Sequence, residues 1–154
     1  MTDRITKHLS EHMIFKGLPF TTISDLIGCA SEKSFSKGET IFLEGEEANY
    51  CHILLTGAVD LSIHTHNRGP IIIQSLQAKE VLGWSWLFSP FIWQFDAVAK
   101  KDTKSIRLDG KCIRKKCDEN PEIGYELMRR FSRILQNRLI ATRLQLVDIY
   151  GKSN

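Results

Sequence analysis

Apolar positions in the first thirty residues recur at helical spacing. Ile14, Phe15 and Leu18 flank a break at Gly17-Leu18-Pro19, and Ile23, Leu26 and Ile27 follow Thr21 or Thr22 as N-cap. Two short helices are predicted there, packed as a lid on the strands of the next segment. From residue 34 to 108 the period falls to two, in β-rich runs at 40–43, 50–55, 58–64, 71–76, 96–99 and 104–108. Gly38, Glu44-Gly45-Glu46, Gly57, Asn67-Arg68-Gly69-Pro70 and Asp109-Gly110 supply the turns between them. In the third run Val59, Leu61 and Ile63 point to one side and Asp60, Ser62 and His64 to the other, as a half-buried strand requires. Many short strands at this spacing predict a sandwich, jelly roll or small barrel.

The pattern then returns to helix. Asp109 or Gly110 caps a short helix through Cys117, and Asn120-Pro121-Glu122 offers an N-cap, a proline at the first helical position and an acid in the first turn. The helix that starts there meets no breaker before Tyr150, and Gly151 is placed to end it. At 1.5 Å per residue it extends about 45 Å, longer than a small barrel can cover. Its apolar residues form two stripes. Ile123, Leu127, Ile134, Leu144 and Val147 suit the barrel, while Met128, Phe131, Leu135, Leu139, Leu146 and Ile149 follow a seam near period 3.5 that suits the same helix of a second copy. A homodimer through this helix is expected, against the alternative that both stripes are buried in one subunit.

Composition narrows the function classes. The chain has 154 residues, 42% hydrophobic and 25% charged, enough for one core. A net charge of +3 does not single out nucleic acid as partner. The basic run Lys100, Lys101, Lys104, Arg107, Lys111, Arg114, Lys115 and Lys116 reads first as a solvated edge and second as a surface for an acidic partner. The charged N-terminus lacks the apolar segment of a signal peptide or membrane span, so a cytoplasmic location without membrane contact is expected. Cys29, Cys51, Cys112 and Cys117 form no C-x-x-C pair and read as buried, unreactive thiols.

Candidate chemistry concentrates between residues 79 and 99, which hold Trp84, Trp86 and Trp93 together with Phe88, Phe91 and Phe95. Such a cluster either walls a ligand pocket or fills a core. Elsewhere His8 and His12 stand four apart without a third metal ligand, and His64-Thr65-His66 has the H-x-H form of a cupin metal site without the remaining ligands. No catalytic triad, paired carboxylates or phosphate loop accompanies them, so no catalytic or metal residue is assigned and a non-enzyme is expected.

The order of elements resembles the cyclic-nucleotide-binding domain of catabolite-activator-type bacterial regulators. The segments that carry the likeness are IFKGLP, KGETIFLEGEEANYCHILLTGAVDL, the glycine-led cassette at Gly83 and the helix start Asn120-Pro121-Glu122-Ile123. The resemblance implies an α+β fold, a double-stranded β-helix (jelly-roll) barrel with short N-terminal helices and a long C-terminal helix, in one domain over 1–154. Within it 1–33 would be the N-terminal helices, 34–109 the barrel with cassette 83–97, and 110–150 the C-terminal helices. In the family a Gly-Glu pair opens the cassette and binds the ribose, and an Arg-Ser/Thr-Ala triplet closes it and pairs with the cyclic phosphate. Here Trp84 follows Gly83, and Phe95-Asp96 precede Ala97, so both side-chain contacts are expected to be lost.

The resulting expectation is a stand-alone regulatory module, without a DNA-binding domain and without a resident cofactor. Its effector would be a nucleotide or other small molecule, at a pocket of Gly83, Trp84, Ser85, Trp86, Phe95, Asp96, Ala97 and Arg138. Two other readings stay open: cAMP or cGMP bound through backbone amides and Arg138, and a structural domain that contacts a protein partner.

Overall fold

The computed structural model describes residues 2–152, with side chains from 4 to 151. The first residue and the last two of the expected 1–154 domain therefore lie outside the described residues. Helices α1 (Thr2–Glu11) and α2 (Phe20–Ile27) precede eight strands: β1 (Ala30–Phe35), β2 (Thr40–Phe42), β3 (Tyr50–Thr56), β4 (Val59–Thr65), β5 (Gly69–Leu76), β6 (Val81–Leu82), β7 (Asp96–Ala99) and β8 (Thr103–Asp109). Helices α3 (Gly110–Glu119) and α4 (Pro121–Lys152) come after them. The strands form two four-stranded sheets, in the orders β1-β8-β3-β6 and β2-β7-β4-β5. Every strand pairing is antiparallel. This is the expected jelly-roll architecture with helices at both ends.

Two strands were not predicted. β1 occupies residues assigned to the N-terminal helices, because its ASEKSF sequence buries only Phe35 and so carries no clear alternation. Its pairing with β8, from Ala30↔Leu108 to Phe35↔Thr103, makes it a strand. β6 is two residues long, too short for a period. In β4 the alternation holds for Val59 and Leu61, but the register shifts between Leu61 and Ser62 and Ser62 becomes buried. Pro19, not Thr21 or Thr22, stands at the N-cap of α2, with no side-chain cap.

The core lies between the sheets and continues under the helices. Leu54, Leu61, Leu76, Leu82, Ile106 and Leu108 are fully buried within it, with Ile14, Phe15 and Leu26 from the N-terminal segment above. The cysteines correct the sequence reading. Cys29 and Cys112 form a disulfide that ties the end of α2 to α3, 83 residues apart, while Cys51 and Cys117 are free. Burial pushes the Cys51 thiol up to about 12, so this one is inert as expected.

At the C-terminus Asp109 caps α3 by accepting the Cys112 N–H at 3.1 Å. The start of α4 at Pro121 is as expected, but the helix passes through Gly151 rather than ending there. Phe131 corrects the assignment of stripes. It is buried in its own chain, edge-on to Trp86 at 5.3 Å, and is not free for a second copy. Leu144 and Val147, assigned to the barrel, are instead exposed. No helix among the described residues is long and apolar enough to cross a membrane.

Candidate functional site

The cassette begins where β6 ends. Gly83 has φ +95°, and a methyl there would fall 2.5 Å from the Trp93 ring, so glycine is required by both the backbone and the neighbour. The chain then makes a single 3-10 turn, Ser85–Leu87. One short turn offers no row of free amides or aligned dipoles for an anion.

The rings divide into those that fill the core and those left near the surface. Trp86 is fully buried and donates its Nε1–H to the Gly83 carbonyl at 3.0 Å, which closes the turn on itself. Trp93 is stacked on Phe42 with ring centres 3.8 Å apart, and Phe95 is buried beside the same ring at 5.8 Å. Ala97, fully buried on β7, stands opposite Leu61. Trp84 is half-buried, meeting the edge of Phe95 at 6.2 Å and the Arg138 guanidinium at 4.5 Å. Trp84, Phe95 and Arg138 are thus brought together, whereas Trp86 and Trp93 belong to the core.

Asp96 is the most informative residue. It is only 6% exposed, and its Oδ1 accepts the Glu44 N–H at 2.7 Å. Its Oδ2 accepts the Nε2–H of His64, also at 2.7 Å. A buried carboxylate needs such partners, and here both are supplied from within the chain. His64, on the strand expected at 58–64, comes beside Asp96 because Ser62 of β4 pairs with Asp96 of β7 across the sheet. No sequence signal places β4 beside β7. The imidazole is hydrogen-bonded to a carboxylate. Among the described residues no group of three or more His, Cys, Asp or Glu could hold a metal ion.

Arg138 reaches the cassette from α4. It donates through Nη2 to the Val81 carbonyl and lies over the Trp84 face, while its buried Nη1 has no hydrogen-bond partner. Burial lowers its pKa to about 10, which leaves it a cation at neutral pH. Among the described residues it forms no ion pair, and the partner of Asp96 is His64. The site therefore holds an acid hydrogen-bonded from within the chain and, among the described residues, a base with no ion-pair partner.

Two members of the basic run are structural rather than solvated. Arg107 lies over Tyr50 at 4.4 Å, and Arg114 lies over Phe91 at 4.1 Å while donating to the Trp86 carbonyl. Across the sheet from Arg107, His52 is held neutral. Burial, then the charges of Arg107 and Lys33, lower its pKa to about 3.

The family model of the cyclic nucleotide-binding domain matches residues 32–120, more than half of the chain. This chain belongs to that family. Among curated proteins it is similar to the CRP-like cAMP-activated global transcriptional regulator of Mycobacterium tuberculosis, 24% identical over 136 residues. The match covers 88% of this chain but only 59% of that relative. Among solved structures, a cyclic nucleotide-binding domain from Methylobacillus flagellatus superposes with a TM-score of 0.82 at 17% identity, covering 96% of this chain and 85% of that one. The N-terminal domain of a transcriptional regulator from Streptomyces coelicolor superposes with a TM-score of 0.69 at 22% identity, over 86% and 93% of the two chains. At these identities the likeness speaks for the fold, which agrees with the jelly roll derived above.

Proposed function

We propose that this chain is a ligand-sensing regulatory module of the cyclic nucleotide-binding family, non-catalytic, whose barrel does not hold a cyclic nucleotide in the family's usual way. The observation that carries this reading is the buried Asp96 carboxylate, fixed by Glu44 and His64 next to Ala97. The resemblance puts a phosphate-binding Ser/Thr there. A buried carboxylate repels a phosphate, and Phe95, in place of the arginine, offers no charge against it. Losing one charged partner of this kind costs roughly 3–5 kcal/mol, enough to turn micromolar binding into millimolar.

The direct test is a thermal-shift titration with cAMP and cGMP. A ligand at a hundred times its dissociation constant stabilises by about 2.7 kcal/mol. Neither nucleotide is expected to raise the melting temperature at sub-millimolar concentration. A saturable rise would overturn the proposal.

One observation favours a second reading, in which a cyclic nucleotide still binds. The desolvated Arg138, with its Nη1 unpaired beside the Trp84 face, is a donor suited to an anion carried on a flat ring. In that case the thermal shift appears in the native chain and vanishes in Arg138→Ala.

Regulation in this reading works through a homodimer along α4. The apolar positions Met128, Leu139 and Leu146 of the expected seam are exposed and Leu135 is half-buried, with Ile140, Leu144, Val147 and Ile149 exposed nearby. A helix with this much uncovered apolar surface gains by pairing. Light scattering is expected to give twice the chain mass, and a monomer at tens of micromolar would remove the dimer.

A further inference from the structure

A concave site away from the cassette lies between the first part of α4 and the turn that comes after α1. It is a cavity of about 310 Å³ whose polar lining is Lys16, Glu126, Arg129, Arg130, Arg133 and Asn137. None of these residues belongs to the cassette. Four of them are cationic and one is an acid.

The charges are arranged, not scattered. Arg130 is the structural member: its Nη1 donates to the carbonyls of Ile14 at 2.9 Å and Lys16 at 2.7 Å, and its Nε donates to Glu126 at 3.0 Å. It thereby clamps the turn carrying Lys16 against α4, and it neutralises the acid of the lining. Arg130, with a second contribution from Arg129, holds the Glu126 carboxyl below its ordinary range, so it stays ionised and paired. Arg129 approaches the same carboxylate only at 3.7 Å. Among the described residues neither Arg133 nor Lys16 has an ion-pair partner.

Residues 129, 133 and 137 follow one another at i, i+4 spacing and so line one face of α4, with about 6 Å of helix rise between neighbours. Two guanidinium forks and a side-chain amide form one wall, and Lys16 stands on the opposite side. Forks of this kind match the oxygens of phosphate groups through paired, charge-assisted hydrogen bonds. The volume, about 310 Å³, is near the lower limit of small-ligand pockets. We infer that this cavity is a second effector site, which binds a small soluble anion with two phosphate groups through Arg129, Arg133 and Lys16.

The test is calorimetric titration of the intact chain with inorganic pyrophosphate, at low and at physiological salt. Saturable binding is expected, weakened at least tenfold in Arg129→Gln/Arg133→Gln and measurably in Lys16→Gln. It is expected to be unchanged in Lys115→Gln/Lys116→Gln, which removes the same charge from α3. Arg129, Arg133 and Lys16 are exposed, so these variants keep the native melting profile. Equal losses in the α3 control, or no saturable heat, would show ordinary surface electrostatics and overturn the site. Co-sedimentation with phosphatidylglycerol vesicles separates the other source of phosphate: retention that depends on Arg129 and Arg133, without pyrophosphate binding, would overturn the soluble ligand. Failure of cAMP to bind the barrel leaves these outcomes untouched, and their failure leaves the barrel reading untouched.

Discussion

The two halves of α4 both carry apolar residues at helical spacing but have opposite surroundings. In the first, Leu127 and Phe131 are 2% and 3% exposed and Gly124 lies against Cys117 of α3, while Arg138, just past the middle, reaches back to the cassette. In the second, every residue from 141 to 150 is exposed, including Leu144, Leu146, Val147 and Ile149. A leucine-rich period establishes that a helix forms and that it has an apolar stripe. It does not say where the barrel ends. The first half is anchored by burial, whereas the second is helical by continuation and by whatever comes to cover it.

The sharpest way to break this contrast is to truncate one ring. Phe131→Ala removes a buried aromatic that packs on Trp86, and is expected to cost about 3–5 kcal/mol in urea unfolding. A loss below 1 kcal/mol would mean that the packed half is not anchored there.

The platform beside it is the next largest effect. α3 is tied to the end of α2 by Cys29–Cys112, and disulfides closing long loops contribute about 2–4 kcal/mol. Reductant is expected to lower stability by that amount in the native chain and not at all in Cys112→Ser. An equal response in both would mean that the bridge is absent. Such bridges persist in oxidising surroundings and open in reducing ones, so the same measurement states what the chain loses in a reducing compartment.

Acid should separate the packed region from the overhang. His52 accepts a proton near pH 6.5 when unfolded but only near pH 3 when folded. Between those values the unfolded chain binds more protons, so stability is complete above about pH 6.5 and falls as the pH drops towards 3. From pH 7 to pH 5 the loss is about 2 kcal/mol, with His12, also lowered by burial, acting in the same direction. The fall is expected to shrink in His52→Gln. An unchanged slope would show that His52 is not the group responsible.

The smallest effect is expected in the exposed half. Leu144→Ala at dilute protein should change monomer stability by no more than about 0.5 kcal/mol, while weakening self-association in light scattering. A large stability change at low concentration would mean that the overhang is covered within its own chain.

At the cassette, legibility differed by residue. Gly83 and the departures at Trp84, Phe95 and Asp96 were visible as sequence, because a resemblance is carried by residue identity at a position. The partner of Asp96 was not, because His64 is 32 residues away and comes beside it only through the pairing of β4 with β7. The division of the tryptophans was hidden for a related reason. Each indole is apolar enough for a core and flat enough for a ligand, and only the stacking of Trp93 on Phe42 and the burial of Trp86 decided between those roles. The thiols were misread because no local spacing reports a contact made across 83 residues.

The chain's own pattern thus determined the class of fold, most strands, the cap at Asp109 and the start of α4, since periodicity and capping act between neighbours in sequence. Tertiary structure alone decided β1, the Cys29–Cys112 bridge, the Asp96–His64 pair and which part of α4 is covered. Each of these depends on segments distant in the chain meeting in space, and the free energy of that meeting belongs to the contact rather than to either segment.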